Sequence, residues 1–144
     1  MLYLLDTNVI SELVRPAPDA KVVAWTRAQG ALDLAISVLT LGELEKGIAL
    51  LRPGARRTAL ARWARSDVPR QFSGRLLPVT DAIALAWGQL AAAGQGMGRE
   101  LPAIDGLLLA TAQEHRLTFV TRNVAECAGR GVPVYDPWAD KLHP

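Results

Sequence analysis

Three carboxylates separated by long stretches of chain, Asp6, Glu43 and Asp105, fall where a strand is expected to hand over to a helix. They lie in Leu4-Leu5-Asp6-Thr7-Asn8, Thr40-Leu41-Gly42-Glu43-Leu44 and Pro102-Ala103-Ile104-Asp105-Gly106. In a parallel α/β sheet that edge is where binding and catalytic groups collect. Each acid also has an innocent reading. Asp6 can cap a helix, Glu43 can close a capping box with Thr40, and Asp105 suits the positive end of a helix dipole. Their joint placement shifts the balance. Two carboxylates ~4 Å apart repel by ~4 kcal/mol at an effective dielectric near 20, so a gathered set calls for a cation. Oxygen-only ligands without His or Cys neighbours favour Mg²⁺ or Mn²⁺ over Zn²⁺. A hard ion with few protein ligands suits phosphoryl transfer.

The elements that must position these acids can be read from apolar spacing. Leu2 to Leu5 is a continuous apolar run, as a strand buried on both faces requires. A short helix follows to Val14, and Asp19 caps a second that stops near Gly30. A strand from about Leu32 to Ser37 leads to a helix begun by the Thr40–Glu43 box and stopped by Pro53-Gly54. Ala55 to Phe72 reads as one helix, with Leu60 and Trp63 turned inward. A strand near Leu76-Leu77 precedes a helix capped by Thr80, which ends in a flexible loop, Gly94 to Gly98. A helix from Pro102 to His115, a strand from Leu117 to Val120, a short helix from Asn123 to Ala128 and a strand at Val134-Tyr135 complete the order. Alternating strands and helices predict a three-layer α/β/α sandwich around a central, mostly parallel sheet.

The chain has 144 residues, half of them hydrophobic, enough for one buried core, and residues 1–144 are expected to form a single domain. No signal peptide or membrane-length apolar run is read, and the single cysteine, Cys127, excludes an intrachain disulfide. A reducing cytoplasm is the expected location. Charge is unevenly placed. Seven of the arginines lie between Arg52 and Arg75 against Asp67 alone, a net +6 that leaves −4 elsewhere. The stretch reads either as a solvated helix face or as an electrostatic footprint for a polyanion, with Arg56, Arg57, Arg62 and Arg65 the candidates for RNA contact.

These residues resemble PIN-domain ribonucleases, in particular the VapC toxins of type II toxin–antitoxin pairs and the related FitB proteins. The likeness is carried by Leu4-Leu5-Asp6-Thr7-Asn8-Val9-Ile10-Ser11-Glu12, by Asp105-Gly106-Leu107-Leu108-Leu109-Ala110-Thr111-Ala112, by Val120-Thr121-Arg122-Asn123 and by Asp136-Pro137-Trp138. The resemblance implies a PIN-like fold, a metal-dependent endoribonuclease, and Mg²⁺ or Mn²⁺ held by Asp6, Asp105 and Glu43. The fourth acidic corner falls on Asn123 or on Glu126. Asn123 brings an amide oxygen without charge; Glu126 brings the charge. Thr7, Asn8 and Thr121 are implied as supporting residues, or else are cap and turn residues. The implied partners are a cognate antitoxin protein, an RNA substrate, a second copy in a homodimer, and operator DNA reached through the antitoxin only. The rival reading is a non-catalytic PIN subunit of an antitoxin-mediated, DNA-bound regulatory complex; a third is a nuclease acting on DNA or on several nucleic acids.

Other motifs carry less. Cys127 with His115 or His143 lacks the local pattern of a nucleophile and base. An aspartyl-phosphate phosphatase would place an acid where Asn8 stands. Gly94 to Gly98 follows a helix and does not satisfy the dinucleotide fingerprint. Trp25, Trp63 and Trp87 lie at core spacings; Trp138 does not.

Overall fold

A computed structural model describes residues 1–144. Its sheet has the order β3-β2-β1-β4-β5-β6, from β1 (Tyr3–Leu5), β2 (Leu34–Ser37), β3 (Leu76–Leu77), β4 (Thr118–Val120), β5 (Val134–Asp136) and β6 (Lys141–His143). The first five are parallel neighbours, and β6 adds antiparallel to β5. β6 is an edge strand whose residues are largely exposed, so it carries none of the apolar pattern by which the other strands are read.

Alternation along the strands builds two cores. Leu4, Ala35, Leu77 and Phe119 point into one apolar cluster, while Leu5, Leu34, Ile36 and Val120 point into the other. The first cluster is closed by α7 (Ala103–Glu114) through Leu108, Leu109 and Ala112. The second is closed by α1 (Thr7–Leu13), α2 (Ala20–Ala28), α3 (Val38–Ala49) and the basic segment, through residues such as Val9, Val22, Leu44 and Val68. The sheet therefore lies between two helix layers, and the expected three-layer architecture is borne out.

Three local expectations are corrected. The cap of α3 is Ser37, whose hydroxyl accepts from Leu39 N at 3.1 Å, so the Thr40–Glu43 box does not form. Thr40 is instead buried inside the helix's first turn. The basic segment is α4 (Ala55–Arg62), a π-helical turn at Trp63–Asp67, and α5 (Val68–Gln71). Pro69 explains the break: it offers no N–H and its ring crowds the carbonyl four residues back, Arg65, which a widened turn relieves. Finally, α6 (Asp81–Gly96) takes in Gly94 and Gly96 of the stretch read as a loop, and Met97 and Gly98 form the turn after it. Gly94 is buried there because a Cβ would lie 2.6 Å from the Arg99 carbonyl oxygen and 2.9 Å from an Arg130 guanidinium nitrogen.

Those two arginines hold the short helix α8 (Val124–Cys127). Arg130 Nε donates to the Glu126 carbonyl at 2.7 Å, and Arg99 donates to the carbonyls of Ala125 at 2.9 Å and Ala128 at 3.1 Å. A four-residue helix cannot hold itself, and this pair of guanidinium clamps fixes it beside the end of β4.

A candidate carboxylate site at the sheet edge

β1 lies between β2 and β4, and the chain leaves β1 toward β2, so the order reverses between β1 and β4. Such a switch point opens a crevice beyond the strand ends. Asp6 follows β1 directly and caps α1; Thr121 follows β4 directly. Asp105 reaches the same edge by a different route from the expected one. No strand precedes it, because α6 leads into α7 without one. The link from α7 to β4 is only His115 to Leu117, so α7 runs antiparallel to the strand and its first turn stands at the strands' carboxyl edge.

Asp6 is 6% exposed, and both its oxygens accept. Oδ1 takes the Thr7 N–H at 2.7 Å and Oδ2 takes the Thr121 hydroxyl at 2.6 Å. The same Thr121 oxygen accepts from the Asn8 amide at 3.2 Å and from Asn123 N at 2.9 Å. One donor and two lone pairs are thus all used. The Thr7 hydroxyl donates to Glu43 Oε1 at 2.5 Å and sits 3.2 Å from the Thr40 hydroxyl. Asn123 donates its amide to Asp105 Oδ2 at 3.0 Å. All four supporting residues expected from sequence therefore touch the acids or one another. Thr40, read as a cap, joins them.

Burial pushes Asp6 up from the ordinary 3.8 to about 6, against the pull of its hydrogen bonds from Thr121 and Thr7, with Asp105 and Glu43 adding repulsion. Half-buried Asp105 is also raised, first by desolvation, then by Glu43 and Glu126, with the Asn123 bond opposing. No cationic side chain figures among the groups acting on either acid. Glu126 is exposed on α8, yet its charge reaches Asp105. Asn123 therefore touches Asp105, and the Glu126 charge bears on it from α8. No three His, Cys, Asp or Glu side chains are drawn tightly enough together to hold an ion among them as they stand. The donor chemistry nonetheless fits a hard divalent ion, since Glu43 raises both Asp6 and Asp105, Asp105 also raises Asp6, and the three offer only oxygens, the donor type such an ion takes, with water completing its shell.

Cys127 is fully buried and pushed up to about 12 by desolvation and by the Asp105 and Asp6 charges. It stays a thiol at neutral pH, which removes the nucleophile reading.

The four candidate arginines line two separate grooves. Arg57, Arg62 and Arg65 border a groove of about 570 Å³ between α3 and α4, where Arg65 is forked onto Glu45. Arg56 faces a separate groove that includes Glu43. All four tryptophans are half-buried, Trp25 lying between Tyr3 and Tyr135 with both ring centroids 5.1 Å away. The buried Glu12 went unremarked in the sequence; it accepts from the Trp138 indole at 3.3 Å and ties α1 to the chain's end.

The Thr121 hub makes a stability prediction. Thr121→Val keeps the shape but strands the Asn8 amide and the Asn123 N–H, so it should cost about 1–3 kcal/mol in urea denaturation and push Asp6 further up. A loss under ~0.5 kcal/mol, within the range of ordinary surface changes, would show that the hub is not built this way.

A switch-point crevice lined by acids on this topology belongs to a known class. The PIN-domain family matches residues 3–125, and the chain belongs to that family. Among individual proteins it is similar to the toxin FitB of Neisseria gonorrhoeae, 37% identical over 96% of this chain and 100% of the relative. It is 34% identical to the VapC ribonuclease Y4jK of Sinorhizobium fredii over 95% of this chain and 98% of that one. Among solved structures, that of FitAB bound to an IR36 DNA fragment superposes with a TM-score of 0.89 and 36% identity, covering 95% of this chain and 96% of that one. The resemblance stated on the sequence motifs is borne out.

Proposed function

We propose that the protein is a divalent-metal-dependent endoribonuclease, the toxin of a type II toxin–antitoxin pair, hydrolysing RNA phosphodiesters. The observation that carries this reading is the set of uncompensated, mutually repelling acids, Asp6, Glu43 and Asp105, at the sheet's switch point. The names of its FitB and VapC relatives support it. Asp6 and Asp105 would hold Mg²⁺ or Mn²⁺, with Glu43 completing the ligand set and Glu126 adding charge from α8. When bound, such an ion neutralises charge on the scissile phosphate and acidifies water.

The chain's own groups do the rest. Thr7 N–H and the Thr121 hydroxyl aim the two Asp6 oxygens, and Asn123 fixes one oxygen of Asp105. Glu43 Oε1 is engaged by the Thr7 hydroxyl, leaving Oε2 to take a proton from attacking water. Arg56 stands on the Glu43 side to steer RNA; Arg57, Arg62 and Arg65 extend the basic surface further out. The partners are an antitoxin, a second copy in a homodimer, and operator DNA through the antitoxin, in line with the DNA-bound FitAB structure. No helix is long and apolar enough to cross a membrane, and action in the cytoplasm on RNA is part of the same proposal.

Purified protein should cleave RNA with Mg²⁺ or Mn²⁺, lose cleavage on chelation, and regain it when the ion returns. Cleavage that persists in excess chelator would overturn the reading. A second reading, a non-catalytic subunit of a DNA-bound regulatory complex, draws on the uncharged Asn123 beside Asp105. Growth arrest on expression separates the two, since only the enzyme should cause it.

A further inference from the structure

The groove that shares Glu43 with the acids lies between α1, α3 and α4 and encloses about 250 Å³. Leu51, Leu60 and Trp63 give it apolar walls, Gly47 opens its α3 side, and Arg15 and Arg56 also line it. At about 30 Å³ per water, that is space for a flat ring system rather than for one or two ordered waters. The π-helical turn begins at Trp63. The same side chain borders a more enclosed cavity of about 110 Å³ within the core, so the ring stands as a partition between core and groove. Arg15 lies 3.5 Å from the buried Glu12 while its own side chain is 62% exposed, so it neutralises that acid and still faces solvent beside the groove.

We propose that this groove is a nucleobase subsite, which takes the unstacked base of a nucleotide adjoining the scissile phosphate, with Arg15 and Arg56 on the flanking backbone. The inference rests on the ribonuclease reading and deepens it, because it gives the enzyme a place to choose its cleavage point. Continuity carries it. A phosphodiester held at Asp6, Glu43 and Asp105 has a nucleotide attached on each side, and the groove adjoins that site because Glu43 lines it too. An aromatic wall with arginines beside it is the chemistry that single-stranded nucleic acid stacks and pairs upon. An apolar side chain of a protein partner would fill the walls but leave both guanidinium groups unmatched; a base joined to phosphates satisfies all three features.

Gly47 supplies the test. A Cβ built there meets nothing within 4 Å, and replacing a helical glycine adds helix propensity, so Gly47→Leu fills the groove without straining the fold. Short RNA oligonucleotides spanning a mapped cleavage point would be made with an abasic residue on one side or the other of the cleaved bond. Stacking on an aromatic wall is worth enough that the abasic residue on one side should cost the unmodified protein about tenfold in kcat/KM. The same residue should cost Gly47→Leu less than about twofold, since its groove is already filled. Arg56→Gln should raise KM more than it lowers kcat. Equal abasic penalties in both proteins, or none on either side, overturn the subsite alone. So does a Gly47→Leu protein that keeps the full penalty but no longer binds antitoxin, which assigns the groove to a protein partner. A wild-type protein that cleaves no RNA overturns the ribonuclease reading and this subsite with it.

Discussion

Asp105→Asn is expected to lower metal-dependent RNA cleavage on the order of a thousandfold while the protein stays folded. Lewis-acid stabilisation by a divalent ion is worth several kcal/mol, and each ~1.4 kcal/mol is a factor of ten in rate. The substitution changes charge without changing shape. Asn123 now donates to Asp105 Oδ2 at 3.0 Å; after an amide flip it can accept from the new NH₂ group, so the contact survives with its polarity reversed. The first turn of α7 loses a favourable carboxylate, worth about 0.3–1 kcal/mol at a helix N-terminus. Against that, desolvation and the Glu43 and Glu126 charges no longer bear on an ionised group there. Stability should therefore hold within about 1 kcal/mol, and a circular dichroism melt beside the cleavage assay separates lost chemistry from lost fold. Removing Asp105 also removes one of the charges that raise Asp6, so the Asp6 titration should move down. Cleavage by a carefully purified Asp105→Asn protein within a few-fold of wild type would sink the metal-ligand role.

The parts of this site that were legible in the sequence are those fixed by local rules. Apolar runs at Leu2–Leu5 and Leu117–Val120 mark strands because a buried parallel sheet needs them, and the acids after strands inherit their place from that. Asp105 reached the same edge without a strand before it, through the short α7–β4 link, which no local pattern records. Thr40 and Glu43 satisfy the spacing of a capping box, but Ser37, at the end of β2, captured the cap first. Once α3 starts at Val38, Thr40 is carried beneath Thr7 and Glu43 onto the site. Glycines at 94 to 98 read as flexibility because composition cannot show that Arg99 and Arg130 press against position 94. The arginines are neighbours in sequence, but grooves on either side of α4 divide Arg56 from Arg57, Arg62 and Arg65. The missing information is partly tertiary, as in the Arg130 contact at Gly94, and partly a local competition such as Ser37 against Thr40 for one cap, neither of which propensity and period decide.

Without a divalent ion, the protein should become less stable as pH rises from about 4 to 7, the reverse of an ordinary paired carboxylate. Asp6 sits at about 6 in the folded chain against an ordinary 3.8, so between those values the native state holds a proton that the unfolded state has released. Stability falls with pH wherever the native state binds more protons. The contribution is therefore fully present below about pH 4 and lost as pH passes about 6. At about 1.4 kcal/mol per pH unit, the distance from 3.8 to about 6 is worth about 3 kcal/mol. Asp105, raised by desolvation and then by Glu43 and Glu126, adds to the trend with the same sign. Other carboxylates titrate in this window, so the measurement is a difference: urea denaturation of wild type and Asp6→Asn in chelator, at steps from pH 4.5 to 7.5. Wild type should lose ground to the variant as pH rises, although Asn pays a fixed penalty because its amide would face a Thr121 oxygen already filled by Asn8 and Asn123. Mn²⁺ should reverse the loss in wild type only, by about 2.7 kcal/mol at a hundred times its dissociation constant. A difference that stays flat with pH would mean that Asp6 is not held in the buried, repelled state described. A sloping difference that Mn²⁺ leaves untouched would keep the burial and remove the ion, so the same titration separates the electrostatics of this edge from the use proposed for it.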